Sequence, residues 1–245
     1  MIVAKRRSSL PQTLYRGKDI GSREQLIQTC LRIVETGTEE ERNLILPHIS
    51  VIRSKRYLPP LLKLLQSSDS VEKEFAALAL ASLGDPQAIE PLASLFDDPE
   101  TFHDPSSELL ETAIIFALGE IGDERAVEPL LRIYQIRLRP NESRLERQCC
   151  VLSSLGSLAQ QGSELAQGEI GGFTRQGDVA IRVLAVTEIA AAYWHRATEV
   201  PSTVLDQLVS LAQSQPKEVQ RAALSSLSTL ANLGCREAEE LFSEN

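Results

Sequence analysis

The chain has 245 residues, 42% of them hydrophobic and 4% aromatic, and carries a net charge of −9. That acidic balance excludes a general nucleic-acid binder, which needs clustered lysine and arginine to neutralise phosphates. No run of about 18 apolar residues occurs, so the reading includes no membrane span, and strand-type alternation is scarce while alanine and leucine dominate.

In chain order, Lys5, Arg6, Arg7, Arg16 and Lys18 precede the first acid, Asp19. Residues 1–21 are expected to be a flexible basic arm, either simply solvated or serving as a docking or targeting segment. Residues 22–245 are expected to form a single domain. Residues 22–35 read as a first helix with Leu26, Ile27, Cys30, Ile33 and Val34 as its apolar positions, stopped by Gly37. Thr38 and Glu41 form a capping box for a helix over 38–52, with Pro47 predicted to kink or break it. A basic turn at 53–56 then leads to an apolar segment, 58–65.

The pattern then repeats. Leu83-Gly84-Asp85-Pro86-Gln87-Ala88-Ile89-Glu90-Pro91-Leu92 returns 38 positions later as Ile121-Gly122-Asp123-Glu124-Arg125-Ala126-Val127-Glu128-Pro129-Leu130. Glycine tolerates a left-handed helix stop, and the aspartate after it can cap a second helix. Pro91 and Pro129 belong in the first turn of that helix, which therefore starts near Ile89 or Val127. Pro60 stands at the same place in the earlier segment. Apolar residues at Ile89, Leu92, Ala93, Phe96 and at Val127, Leu130, Leu131, Tyr134 trace one helix face. Two antiparallel helices cannot bury such faces alone, so successive copies must stack.

A long loop, 97–107, separates the two copies and offers Phe102 and His103 either as a contact or as an acidic surface loop with the ring tucked in. A further unit starts near Asn141 and aligns Leu155-Gly156 with Leu118-Gly119. Its second half holds Gly162, Gly168, Gly171, Gly172 and Gly177 and is expected to be a mobile loop rather than a helix. Those glycines match no phosphate-binding pattern. Residues 179–193 and 201–212 read as another pair, and 218–233 with 236–242 as a shortened last one, whose acids supply a polar terminal cap.

The four cysteines, Cys30, Cys149, Cys150 and Cys235, form no C-x-x-C motif, and Cys149 and Cys150 read as small core residues. The expected compartment is reducing, hence cytoplasmic. No metal-ligand spacing, nucleophile elbow or paired-carboxylate motif is present, so no catalytic residue or metal ligand is assigned. Tyr193-Trp194-His195-Arg196 is the densest patch of interface-type residues, with burial of the tryptophan between repeats as the alternative.

The segment from Val71 to Phe96 resembles the HEAT-like repeat of phycobilisome-lyase type: an alanine-rich helix, Leu-Gly-Asp, then Ala-Ile-x-Pro-Leu. The resemblance spans roughly 22–242 and is similar to bilin lyase subunits of the E/F type. It implies an all-α, right-handed α-solenoid of about six helical pairs, whose second helices line a concave face. On that face the amphipathic phase exposes Lys63, Glu90, Ser94, Glu128, Arg132 and Gln135, a mixed-charge surface suited to a protein partner. The leading expectation is a non-catalytic interaction scaffold or assembly factor with no cofactor, whose partner is a phycobiliprotein or a cofactor-assembly scaffold. The alternative is a subunit of a bilin lyase or isomerase, with Arg132, Arg137 and Arg139 pairing tetrapyrrole propionates and Trp194 as an aromatic wall. Neither reading fixes the oligomeric state.

Overall fold

The computed structural model describes residues 23–98, 101–102, 107–136, 144–214 and 216–243. The basic arm, His103, Arg137 and Arg139 lie outside them. Among the described residues there are thirteen α-helices and no strand. A leading helix, α1 (Arg23–Thr36), precedes six pairs: α2 (Glu39–Ile52) with α3 (Leu58–Leu64), α4 (Ser70–Leu83) with α5 (Ile89–Ala93), and α6 (Ser107–Glu120) with α7 (Val127–Gln135). The others are α8 (Arg144–Gln160) with α9 (Glu164–Phe173), α10 (Val179–Ala191) with α11 (Ser202–Ala212), and α12 (Lys217–Asn232) with α13 (Arg236–Ser243). The fold is an all-α solenoid of helical pairs.

The repeated turns are built as their residues require. Gly84 and Gly122 adopt φ of 65° and 77°, the left-handed conformation that a side chain opposes. Asp85 and Asp123 then cap the next segment, each Oδ1 accepting from the backbone N–H two residues on, at 3.1 and 3.0 Å. A short 3-10 turn (Pro86–Ala88, Glu124–Ala126) leads into α5 and α7 at Ile89 and Val127, so the proline falls in the first turn. The capping box at α2 is complete, with Thr38 and Glu41 exchanging bonds of 2.9 and 3.3 Å. Pro47 does not break α2, which runs on to Ile52 and holds Pro47 on its exposed side.

The chain forms two compact units, 1–117 and 118–245. In the first, α2 packs on α4 and α3 on α4, around Leu46, Tyr57, Leu61, Leu80 and Leu92. Glu72, 2% exposed, ties α4 to α2 through Arg42 Nε at 2.5 Å. Phe102 of the inter-copy loop stacks on Phe96, with ring centroids 4.8 Å apart. In the second unit, first helices stack in order, α8 on α10 and α10 on α12. The C-terminal end of α6 also approaches α8 closely because small residues face each other: Ser154 Cβ stands 2.8 Å from where a Cβ on Gly119 would be. Cys30 and Cys235 are buried, but Cys149 and Cys150 are only half-buried, because they fall off the face of α8 that Gln148, Val151, Leu152 and Leu155 bury.

Candidate functional site

The glycine-rich stretch is not a loop. Ser163 caps it, its Oγ accepting from Ala166 N–H at 3.2 Å, and Glu164–Phe173 forms α9. Ala166 and Ile170 are fully buried and Phe173 half-buried, an i, i+4, i+7 face. That face anchors the helix despite its glycines. On the opposite side Gly168 and Gly172 are exposed, and a Cβ added at either would meet nothing within 4 Å. One side of α9 is therefore bare backbone.

Its C-terminal end is fixed by polar contacts. The Thr174 hydroxyl donates to the Gly171 carbonyl at 2.8 Å. Gln207 of α11 donates to that same carbonyl at 2.9 Å and to the Thr174 oxygen at 2.8 Å. From the turn after α10, the buried Tyr193 hydroxyl donates to Gln167 Oε1 at 2.8 Å. Burial pushes the Tyr193 phenol above its ordinary range, against the pull of Arg196, so the phenol keeps the proton it donates. The Arg196 guanidinium lies 5.1 Å from the centre of the Tyr193 ring and donates to the Ala159 carbonyl at 3.3 Å. Together these elements enclose a groove of about 690 Å³, lined by Gly168, Gly171, Gly172, Arg175, Tyr193, Arg196 and Gln207, with Glu164 and Glu199 also present.

The aromatic patch read from the sequence is split by the structure. Tyr193 and Arg196 line this groove, while Trp194 points away from it, 46% exposed, and His195 is exposed. Trp194 instead lines a second groove of about 480 Å³ between α10 and α12, with Thr187, Ala190, Glu218, Arg221 and Ser225. It is therefore not buried between repeats. Lys63, Glu90 and Ser94 of the first unit, and Glu128, Arg132 and Gln135 of the second, are all exposed on or directly after second helices. Tyr134 of α7 stacks on Phe173 with centroids 4.7 Å apart.

The sequence reading places Gly168 and Gly172 in a mobile loop and singles out neither Arg175 nor Gln207. The signal was the apolar spacing of Ala166, Ile170 and Phe173, which survives beneath the glycines. Among the described residues, no group of three or more His, Cys, Asp and Glu could hold a metal ion, and no helix is long and apolar enough to cross a membrane.

Residues 33–102 match the family of HEAT repeats, and residues 112–135 match the PBS lyase HEAT-like repeat. Among solved structures, the chain is similar to the complex of CpcE and CpcF of phycocyanin lyase from Nostoc sp. PCC7120. The two are 20% identical, with 91% of this chain and 86% of that chain covered, at a TM-score of 0.45. It is also similar to human deoxyhypusine hydroxylase in complex with glycerol, at 13% identity, 91% coverage of both chains and a TM-score of 0.39. No curated protein matches the sequence. Residues 33–102 therefore carry HEAT repeats, and residues 112–135 carry a repeat of the PBS lyase HEAT-like type.

Proposed function

We propose that this chain is a helical-repeat subunit of a bilin lyase, which holds a linear tetrapyrrole in the groove between α9 and α11 and presents it to a phycobiliprotein. One observation carries the reading. The groove pairs two guanidinium groups, Arg175 and Arg196, with the Tyr193 ring over a floor without side chains, in a chain with a PBS lyase HEAT-like repeat. Propionates are matched by arginine forks. Flat conjugated rings can lie against exposed helix backbone where Gly168 and Gly172 leave open space. The volume falls in the range of roughly 300–1,000 Å³ usual for small-molecule sites. None of the residues lining the groove is a cysteine, so the thiol that receives the chromophore belongs to the antenna protein, and this chain supplies binding and orientation. Titration with phycocyanobilin should strengthen and shift its visible absorption band, and Arg175→Glu should weaken the effect. A flat titration of the parent chain refutes this assignment.

The scaffold reading rests on a separate observation, the exposed mixed charge on second helices within each unit, Lys63 with Glu90 in the first and Arg132 with Glu128 in the second. Such a surface selects a charge-complementary protein. Here Arg132→Glu should reduce capture of phycocyanin while leaving the melting curve unchanged. Undiminished capture by a normally folded variant removes these residues from the contact.

A further inference from the structure

Two helix stops of the first unit stand at one place in the repeat. Ile52-Arg53-Ser54 lies 31 positions before Leu83-Gly84-Asp85, as Pro60 lies 31 before Pro91. Gly84 is left-handed there, and so is Arg53, at φ 46°, the one non-glycine with positive φ among the described residues. A side chain opposes that conformation, so arginine holds the stop at a cost that glycine avoids. It gains no polar contact in return: the side chain is exposed, and among the described residues it has no hydrogen-bond or ion-pair partner. Backbone strain under an exposed, unpaired cation points to a contact outside the fold.

Arg53 closes a row of exposed side chains on α2. Glu40, Leu44, Pro47 and Val51 stand at i, i+4, i+7 and i+11, one line along the helix, while Ile45, Leu46 and Ile49 on the other side are buried. Leu44 is 50% and Val51 81% exposed. Glu40, like Arg53, has no partner among the described residues, and Lys55 beyond the row reaches Asp85 only at 4.0 Å with its side chain 86% exposed. The row therefore runs acid, three apolar residues, base. On α4, which packs beside α2, Val71, Phe75 and Leu78 stand 31 positions after Glu40, Leu44 and Pro47, with Val71 40% exposed and the other two half-buried. The apolar face is thus two helices wide. It is not a property of the repeat as such, because the exposed mid-helix positions of α8 and α10 are Ser153 and Thr187.

We infer that a second copy of this chain docks on this face, α2 against α2, antiparallel across a two-fold axis at Pro47. The spacing matches itself. Leu44 and Val51 lie three residues before and four after Pro47, and Glu40 and Arg53 seven before and six after. At about 1.5 Å per residue, an antiparallel copy sets its Val51 opposite Leu44 and its Arg53 opposite Glu40, and the two-fold makes each contact twice. Opposite charges meet at both ends, with apolar contact between them. A parallel approach would set Glu40 on Glu40 and Arg53 on Arg53, so charge selects the antiparallel one. The face lies wholly in the first unit, and its use does not depend on the bilin reading.

The test follows the full chain by sedimentation velocity over a concentration series. A reversible dimer should form, and it should weaken as salt is raised. Val51→Glu should weaken it by at least about tenfold, with unchanged melting because Val51 is exposed. Glu40→Lys and Arg53→Glu should each weaken it by about tenfold. An equimolar mixture of those two variants should regain the parent's affinity, since each altered charge then faces its opposite. Arg53→Gly should raise the melting temperature of the dilute, monomeric protein and yet weaken the dimer by about tenfold, which separates the use of the guanidinium from its place in the turn. A parent chain that stays monomeric up to about 0.1 mM leaves the face to a different protein and overturns the inference. A dimer unmoved by Val51→Glu, or a mixture as weak as its two components, overturns it as well.

Discussion

Glu188 of α10 lies over Gly156 of α8, and its carboxylate fills the space a Cβ at position 156 would need. The Ser153 hydroxyl donates to Glu188 Oε1 at 3.1 Å. Burial pushes the Glu188 carboxyl above its ordinary value, with only the Ser153 bond opposing it. The folded chain thus holds this proton at pH values where the unfolded chain has released it. Stability contributed here is present below the ordinary glutamate range and is lost as pH rises through the raised folded value. Glu188→Gln keeps an oxygen for Ser153 and removes the charge. Its melting temperature should match the parent's in acid and exceed it increasingly as pH rises through that window. Parallel melting curves across the pH series would show that the charge is not penalised.

Gly122 should tolerate valine less well than Gly84 does. Both sit at positive φ, which costs a β-branched residue about 1 to 2 kcal/mol. At Gly122 a new Cβ would also collide with the Gln161 side chain, which donates to the Gly119 carbonyl at 3.2 Å. Urea denaturation of the two variants should rank them in that order.

Gly168→Ala should stabilise the protein. The position is inside α9 and open to solvent, and alanine is favoured over glycine there by about 0.5 to 1 kcal/mol. Gly168→Trp should keep the fold but occupy the groove and abolish the phycocyanobilin difference spectrum. Loss of the α-helical circular dichroism signal in either variant would show that the face is not open.

Glu72→Ala should be strongly destabilising. Its carboxylate is buried and takes bonds from Arg42 at 2.5 Å and Ser67 at 2.6 Å. Removing one partner of such a pair leaves the other charge poorly compensated, at a cost of about 3 kcal/mol. Glu90→Ala, on an exposed helix face, is the matched control, and thermal melts of the two should differ accordingly.

The repeat was legible because its signals are local. Gly84, Asp85 and the spacing from Ile89 to Phe96 specify a stop, a cap and a face without reference to the rest of the chain. The candidate groove was not legible, because α9 lacks the Leu-x-x-Leu pattern and its glycines read as loop. Only tertiary burial of Ala166 and Ile170 against α8 and α10 makes up for the poor helix propensity of the glycines. Trp194 and Tyr193 are adjacent in sequence yet serve different grooves, since the chain turns at the end of α10 and sends consecutive side chains to opposite sides. Pro47 does not end its helix for a related reason: its position on the exposed side of α2 lets the helix run past it.

Because second helices in the second unit pack forward onto the next first helix, each pair there depends on its successor for part of its burial. The pair α12 and α13 receives no such support from described residues. Amide exchange should therefore be graded along this unit, fastest in α13, slower in α12 and slowest in the central turns of α8 and α10, as expected where cooperativity passes between neighbours and fades towards an open edge.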